Sequence, residues 1–282
     1  MPLSRSTLSA GWLPTEEFGQ LLIADVVQQS VATNVGKPIQ TNAQTMYFPR
    51  LTSEAPADFV AEGADLPLGD PGLDDVAVTP AKVAGLTIVT AEAVEDASPD
   101  VSKVVGDSLV RAISTKIDQA FVGNLPAPAP KGIASLTNVT DVTGSTPDNL
   151  ADLDVIADAI AAVQDQGGEP THILVSPGVA KHLAKLKTGS GSNQPLLGTD
   201  ATKATVRTAY GLPLVTVRAL TDSALYVVDG SRIAVVLRRT ATVDISKDRF
   251  FESDRVAVRA RGRVGFGFLH PETIAKVGVA LA

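Results

Sequence analysis

The stretch SPDVSKVVGDSLVRAISTKIDQAFVGN, residues 98–124, constrains the fold more than any other part of this 282-residue chain. Val101, Val104, Val105, Leu109, Ile113, Ile117, Ala120 and Phe121 recur at helical spacing, the mark of a helix that buries one face. Ser98 suits the N-cap, and Pro99 suits the first helical position, where its missing N–H costs nothing. Gly123-Asn124 supplies the stop. At about 1.5 Å per residue such a helix spans roughly 36 Å. A rod of that length serves as a spine, and the rest of the domain has to be organised along it.

The segments on either side read mainly as strands. PTEEFGQLLIADVVQQSVA (14–32) has helical spacing, TMYFPRL (45–51) reads as a strand, and residues 76–91 read as another. After the Pro-rich connector LPAPAPKG (125–132), the pattern from residue 150 becomes helix, strand, helix: NLADLDVIADAIAAVQDQGG, HILVS and SPGVAKHLAKLK. A Gly/Ser/Thr-rich tip (188–203) follows, then YGLPLVTV, LYVVDG and IAVVLRR as strands of a small sheet. RVAVRARGRVGFGFL (255–269) alternates apolar residues with Arg or Gly, the period of a half-exposed strand. The expected class is α+β. Elements before residue 130 and after about 235 form one strand layer on the spine helix, and residues 150–230 form an insertion with its own core.

Chemistry is hard to place on this chain. With 44% apolar and 20% charged residues it has the makings of an ordinary core. The net charge of −7 argues against a protein that coats nucleic acid through a basic face. Cysteine is absent, so neither disulfides nor thiolate metal sites contribute. The first residues lack the apolar run of a signal peptide, and no run approaches the ~20 residues of a membrane span, so no membrane association is expected. His172, His182 and His270 are the only histidines and lack metal-ligand spacing; structural roles are expected for His172 and His182. No Gly-x-Ser-x-Gly elbow follows a strand. Gly262, Gly265 and Gly267 lie inside a strand pattern and indicate close packing, not a phosphate loop. An enzyme is not expected, and neither is a cofactor or a metal.

Charge is segregated instead. DFVAEGADLPLGDPGLDD (58–75) holds Asp58, Glu62, Asp65, Asp70, Asp74 and Asp75 with no Lys or Arg. The basic concentration is Arg238, Arg239, Arg255, Arg259, Arg261 and Arg263. These arginines fit either a nucleic-acid surface or a face paired with carboxylates, in the chain or on a neighbour. Pairing between subunits is favoured, because the acidic stretch supplies unpaired carboxylates.

The order of elements then carries a resemblance. An N-terminal arm leads to an acidic stretch containing VAEGADLP, a returning strand VAVTPAKVAGLTIVTAEAVEDA, a long helix ending KIDQAFVGN, and a PKGI turn. HILVSPGVAKHLAKLK, YGLPLVTV, VVDGSRIAVVLRR and FFESDRVAVRARGRVGFGFLHPETIAKV follow in order. Over residues 12–280 this set resembles the major capsid proteins of tailed bacteriophages, which have the Hong Kong 97 fold.

The resemblance implies an N-terminal arm (1–50), an extended E-loop hairpin (51–90) and a peripheral domain (91–149) with its spine helix (98–124). It further implies an axial domain (150–234) and return strands of the peripheral domain (235–282). Hexamers and pentamers would tile an icosahedral shell around packaged double-stranded DNA, contacted non-specifically. The implied partners are further copies of the chain, a portal protein, a decoration protein and, since Met1 leads directly into the arm, a separate scaffolding protein. Assembly would occur in the host cytoplasm and the mature location would be the virion. Lys82 is the only lysine between residues 38 and 102, and no Asn follows Asn193, so the loop-lysine to asparagine cross-link of the family archetype is not expected. Charge reversal at Asp74 and Asp75 is expected to impair assembly without unfolding the subunit. The alternative on the same fold is an encapsulin-type bacterial nanocompartment shell.

Overall fold

The computed structural model describes residues 30–61, 63, 65, 67–90, 100–144, 146–189, 192–197, 207–238 and 242–280. Helix α1 (Val31–Val35) precedes β1 (Lys37–Thr41), β2 (Met46–Ser53), β3 (Gly72–Val78) and β4 (Ala81–Thr90). The spine helix is α2 (Asp100–Val122), followed by β5 (Thr140–Asp141), α3 (Asp154–Asp165), β6 (His172–Val175) and α4 (Pro177–Lys185). The remaining strands are β7 (Thr208–Ala209), β8 (Leu212–Thr216), β9 (Ala224–Val228), β10 (Ile233–Arg238), β11 (Thr242–Phe250), β12 (Arg255–Phe268) and β13 (Ile274–Gly278). Ser98 and Pro99 of the expected spine-helix cap lie outside the described residues, as does most of the expected 14–32 helix. At Ser30 the backbone is extended, so α1 is a separate short helix and not the end of a longer one.

The first sheet is built around β12, 14 residues long. β4 runs antiparallel along one edge from Arg255–Thr90 to Val264–Ala81. β11 and β10 share the other edge, and β1 adds in parallel outside β10. The alternation of β12 and β10 sets which side is buried. Ala260, Val264, Phe266, Phe268, Ile233, Val235 and Leu237 face the spine helix and pack with its Leu109, Ile113, Ile117 and Phe121. Phe121 is fully buried; its ring meets Phe266 edge-on at 5.3 Å and stacks on Phe268 at 6.2 Å.

The second sheet runs β5-β13-β9-β6-β8-β7 and is covered on both faces. Leu174, Tyr226, Val228 and Ile274 point into the core of the spine helix. Their neighbours Ile173, Leu225, Val227, Ala275 and Val277 pack against Ile156, Ala159 and Val163 of α3 and Val179, Ala180 and Leu183 of α4. Double-sided burial explains why all five residues of β9 are apolar and buried instead of alternating. Ser176 caps α4 as its sequence suggests, with its hydroxyl accepting from Val179 N–H.

Three expectations change. The expected strand 76–91 is two strands, broken at Thr79-Pro80: β3 pairs with β2, and β4 pairs with β12. Proline has no N–H to offer a ladder, so the pairing switches there. Secondly, residues 72–75 are not loop but the start of β3, matched across to Leu51, Arg50 and Pro49. Thirdly, sheet membership differs from sequence order. IAVVLRR leaves the small sheet for the first one, while β13 leaves the return strands to pair with β9 in the second. Period-2 patterning says which residues face a core and is silent on which strand lies alongside.

α1 is held to the spine by a carboxylate. Ser30, fully buried, donates its hydroxyl to Asp118 Oδ1 at 2.7 Å, and Ala32 N–H donates to the same oxygen at 3.2 Å. Burial pushes the Asp118 carboxyl above the ordinary carboxylate value, against the pull of these donors and of Val31 N–H. A folded value above the unfolded one means the group's stabilisation is complete at pH below the unfolded value and is lost as pH rises through the folded one. The thermal midpoint of the native chain relative to an Asp118→Asn variant is therefore expected to fall as pH rises above about 3.8. A difference that stays constant across weakly acidic pH would show that Asp118 does not titrate differently in the folded state.

Candidate assembly surfaces: a projecting hairpin and an arginine face

β2 and β3 form an isolated two-stranded hairpin. Strands of eight and seven residues reach roughly 25 Å at about 3.4 Å per residue. Its two faces differ. The inner face carries Met46, Phe48, Val76 and Val78, of which Val78 is buried. Val78 sits over two glycines of β12: a Cβ at Gly265 would lie 2.8 Å from Val78 Cγ1, and one at Gly267 would lie 2.7 Å from Val78 Cγ2. Those glycines, legible in the sequence as close-packing positions, make room for the hairpin base.

The same face is locked by Arg50. Its Nη2 and Nε donate to Asp74 Oδ2 at 2.9 and 3.2 Å across the strands, and its Nη1 reaches Leu269 O, just past the end of β12, at 3.5 Å. The hydrogen bond from Arg50 and that from Asp75 N–H hold the Asp74 carboxyl below its usual value. The outer face carries Tyr47, Pro49, Leu51, Leu73, Asp75 and Ala77, with Tyr47 and Leu73 64% and 72% exposed. At the tip Phe59 and Leu68 are fully exposed. A lone hairpin with an apolar outer face has no stability of its own to spare, and such a patch marks a surface that meets a partner.

The arginines lie elsewhere. On β12 the odd residues Arg255, Arg259, Arg261 and Arg263 share the face turned away from the spine helix. Beside them on β4 are Lys82, Ala84, Leu86 and Ile88, the last two 53% and 44% exposed. Asp244 of β11 neutralises part of this face: Arg259 Nη2 and Nε donate to its Oδ2 at 2.7 and 3.2 Å, and Arg261 Nε lies 3.5 Å away. Pairing of Arg259 and Arg261 is thus within the chain, not solely between subunits as the sequence suggested. The same holds for Asp74. Arg238 follows the buried Leu237 at the end of β10, and its Nε is buried without a partner among the described residues.

Asp58, Asp65, Asp70 and Asp75 are exposed and form no ion pair among the described residues, whereas Glu62 and Arg239 lie outside those residues. The hairpin base covers residues 265–269 at the C-terminal end of β12, and the strands run on from there, while the arginines occupy residues 255–263 at the other end. Among the described residues, the acidic stretch therefore meets Arg50 through Asp74 but not the arginines of β12 in its own chain. Sequence reasoning missed Arg50 and Asp244, whose roles depend on strand register. Lys82 was legible in the alternation of β4 but was not assigned to the basic face.

The histidines have the structural surroundings expected of them: His182 Nε2 is 3.1 Å from Leu150 O, and His172 Nδ1 is 2.9 Å from Thr171 Oγ1. Burial holds His172 below its usual pKa. Among the described residues no cluster of His, Asp or Glu could hold a metal ion, and no helix is long and apolar enough to cross a membrane.

A sequence model of the phage capsid family matches residues 11–279. The chain belongs to the phage capsid family. As a capsid protein it is a shell component of a virion, and the nanocompartment alternative is not favoured. No curated protein sequence matches it. Among solved structures it is similar to a protein of Microbacterium phage Oxtober96, with TM-score 0.71, 19% identity and coverage of 90% of this chain and 91% of that one. A protein of Mycobacterium phage Bobi gives TM-score 0.69 at 19% identity, covering 100% of this chain and 95% of the other. The capsid of a native GTA particle gives 0.67 at 16%, covering 99% and 95%. At such identities the likeness is one of fold, and it extends over the mixed helix and sheet of the whole capsid chain.

Proposed function

We propose that this capsid protein builds an icosahedral shell from hexamers and pentamers by seating the hairpin of each copy on the arginine face of the next, around packaged double-stranded DNA. The observation that carries this reading is the separation of the two surfaces along β12. An apolar, acidic hairpin projects from one end and an apolar, basic face lies at the other. Two different complementary patches on one chain make a head-to-tail contact, which closes into rings when the rotation permits. Each contact can be weak enough to correct errors, because multivalency supplies the stability of the finished shell.

In this reading the Hong Kong 97-type division applies with boundaries shifted to follow the sheets. The E-loop is the β2–β3 hairpin, the peripheral domain is the spine helix with the first sheet, and the axial domain is the second sheet, β13 included, with α3 and α4. A portal protein, a scaffolding protein and a decoration protein are proposed partners on the family resemblance, with assembly in the host cytoplasm.

Negative-stain imaging of the purified protein, alone and with candidate scaffold, tests the shell directly; absence of closed polyhedra under every condition would defeat the reading. The electrostatic part is tested by Asp75→Arg. Asp75 lies on the exposed outer face, whereas Asp74 holds Arg50, so a double reversal would confuse docking with hairpin geometry. Asp75→Arg is expected to keep the thermal midpoint within about 2 °C, as surface changes do, and to reduce the yield of shells. An unchanged yield would remove Asp75 from the interface.

A further inference from the structure

On the arginine face the charges are not equally in need of a partner, and the strand registers separate them. Arg259 and Arg261 share Asp244. Arg263 stands directly opposite Lys82 across β4 and β12. On the other edge of β12 the register pairs Leu237 with Val264, so the next residue, Arg238, falls beside Arg263. Lys82, Arg263 and Arg238 thus form one row across three adjacent strands, about 10 Å wide at ~4.8 Å per strand. Among the described residues none of the three has an ion-pair or hydrogen-bond partner, and Arg238 Nε is buried without one. Like charges directly opposite each other destabilise a sheet, and a buried unpaired donor adds its own penalty. A row of this kind is costly to the isolated subunit and becomes favourable only when an anion is placed across it.

We infer that the row Lys82–Arg263–Arg238 receives carboxylates from the acidic hairpin tip of a second copy of this chain. This rests on the hairpin-docking reading above and names its electrostatic centre. The tip supplies Asp58, Asp65 and Asp70, all exposed and without ion-pair partners among the described residues. Their own chain's row is out of reach, because the hairpin leaves β12 past Leu269, away from residue 263. On the same face of β4, roughly 14 and 20 Å further along the strand at ~3.4 Å per residue, the exposed Leu86 and Ile88 match the apolar Phe59 and Leu68 of the tip. A phosphate backbone would answer the charge of the row but leave those aliphatic side chains unmatched, so a protein segment is the better occupant.

The test separates folding from assembly. Lys82→Glu places a carboxylate opposite Arg263, which should leave the subunit at least as stable in thermal unfolding. It should also raise the protein concentration needed for shells by about tenfold or more, as reversing one charge of a docked pair does. Lys82→Glu with Arg263→Glu should abolish shells, and adding Asp65→Lys with Asp70→Lys should restore them. Lys276→Gln, a cation of the second sheet off the arginine face whose charge Asp141 answers at 3.2 Å, should assemble normally.

Normal assembly of the row reversals would overturn the inference. Failure of the tip swap to restore shells would overturn the tip as occupant. Intact shells that retain less DNA would give the row to phosphate and overturn it too. Replacing residues 54–71 by a short turn keeps the two failures distinct. If that variant assembles normally, hairpin docking itself is wrong. If it fails while the row reversals assemble, only the row is wrong.

Discussion

Replacing Phe121 by alanine is expected to cost the subunit about 3–5 kcal/mol, the range for truncating a fully buried aromatic. Phe121 has no exposed surface and touches both Phe266 and Phe268, so its loss opens a cavity where the spine helix meets the first sheet. The site has little means of collapsing, since the helix is straddled by the first sheet and by the inner face of the second. For a chain of this size the thermal midpoint of unassembled subunits should fall by roughly 10 °C. A fall of only 1–2 °C would mean that the region repacks and that the spine helix is not the keystone of this core.

Gly265→Val should instead spare the subunit and disable assembly. The added Cβ alone would sit 2.8 Å from Val78 Cγ1 and 3.2 Å from Pro80 Cα, and the second contact is with backbone that cannot rotate away. Overpacking of this kind costs about 1–3 kcal/mol when absorbed in place. The hairpin, attached to the body only at its base, can relieve the clash by tilting. Because the base sits at the foot of a roughly 25 Å lever, a small displacement there moves the tip by several ångströms. Far-UV circular dichroism and thermal unfolding should remain near native while shell formation, followed by light scattering, is lost. Shells of normal geometry would show that the seat of Val78 on β12 does not govern the reach of the hairpin.

Local patterning exposed a good part of this architecture. The spine helix, the cap of α4, the buried run of β9 and the arginine alternation of β12 all depend on neighbours along the chain, and period and capping chemistry reveal such features. Gly265 and Gly267 were legible as close-approach positions, although not what approaches them. The candidate site was visible as two charged lists, 58–75 and 238–263, whose members looked equivalent. They are not. Asp74 is bound to Arg50, Arg259 and Arg261 are bound to Asp244, and Lys82, which the charge lists omitted, stands beside Arg263.

From the residues alone come an α+β chain on a long spine, a segregated acid and base, and a resemblance over nearly the whole length to phage capsid proteins. Those follow from the 3.6- and 2-residue periods and from the order of segments, all of which are written locally. Tertiary structure decided that the strand breaks at Pro80 and that β10 and β13 exchange sheets. It also decided that the hairpin points away from the arginines of β12, and which cations, among the described residues, are left without a carboxylate. Each of these depends on which strand lies beside which, and in what register. Backbone hydrogen bonds between distant segments set that register, and side-chain periodicity is indifferent to it.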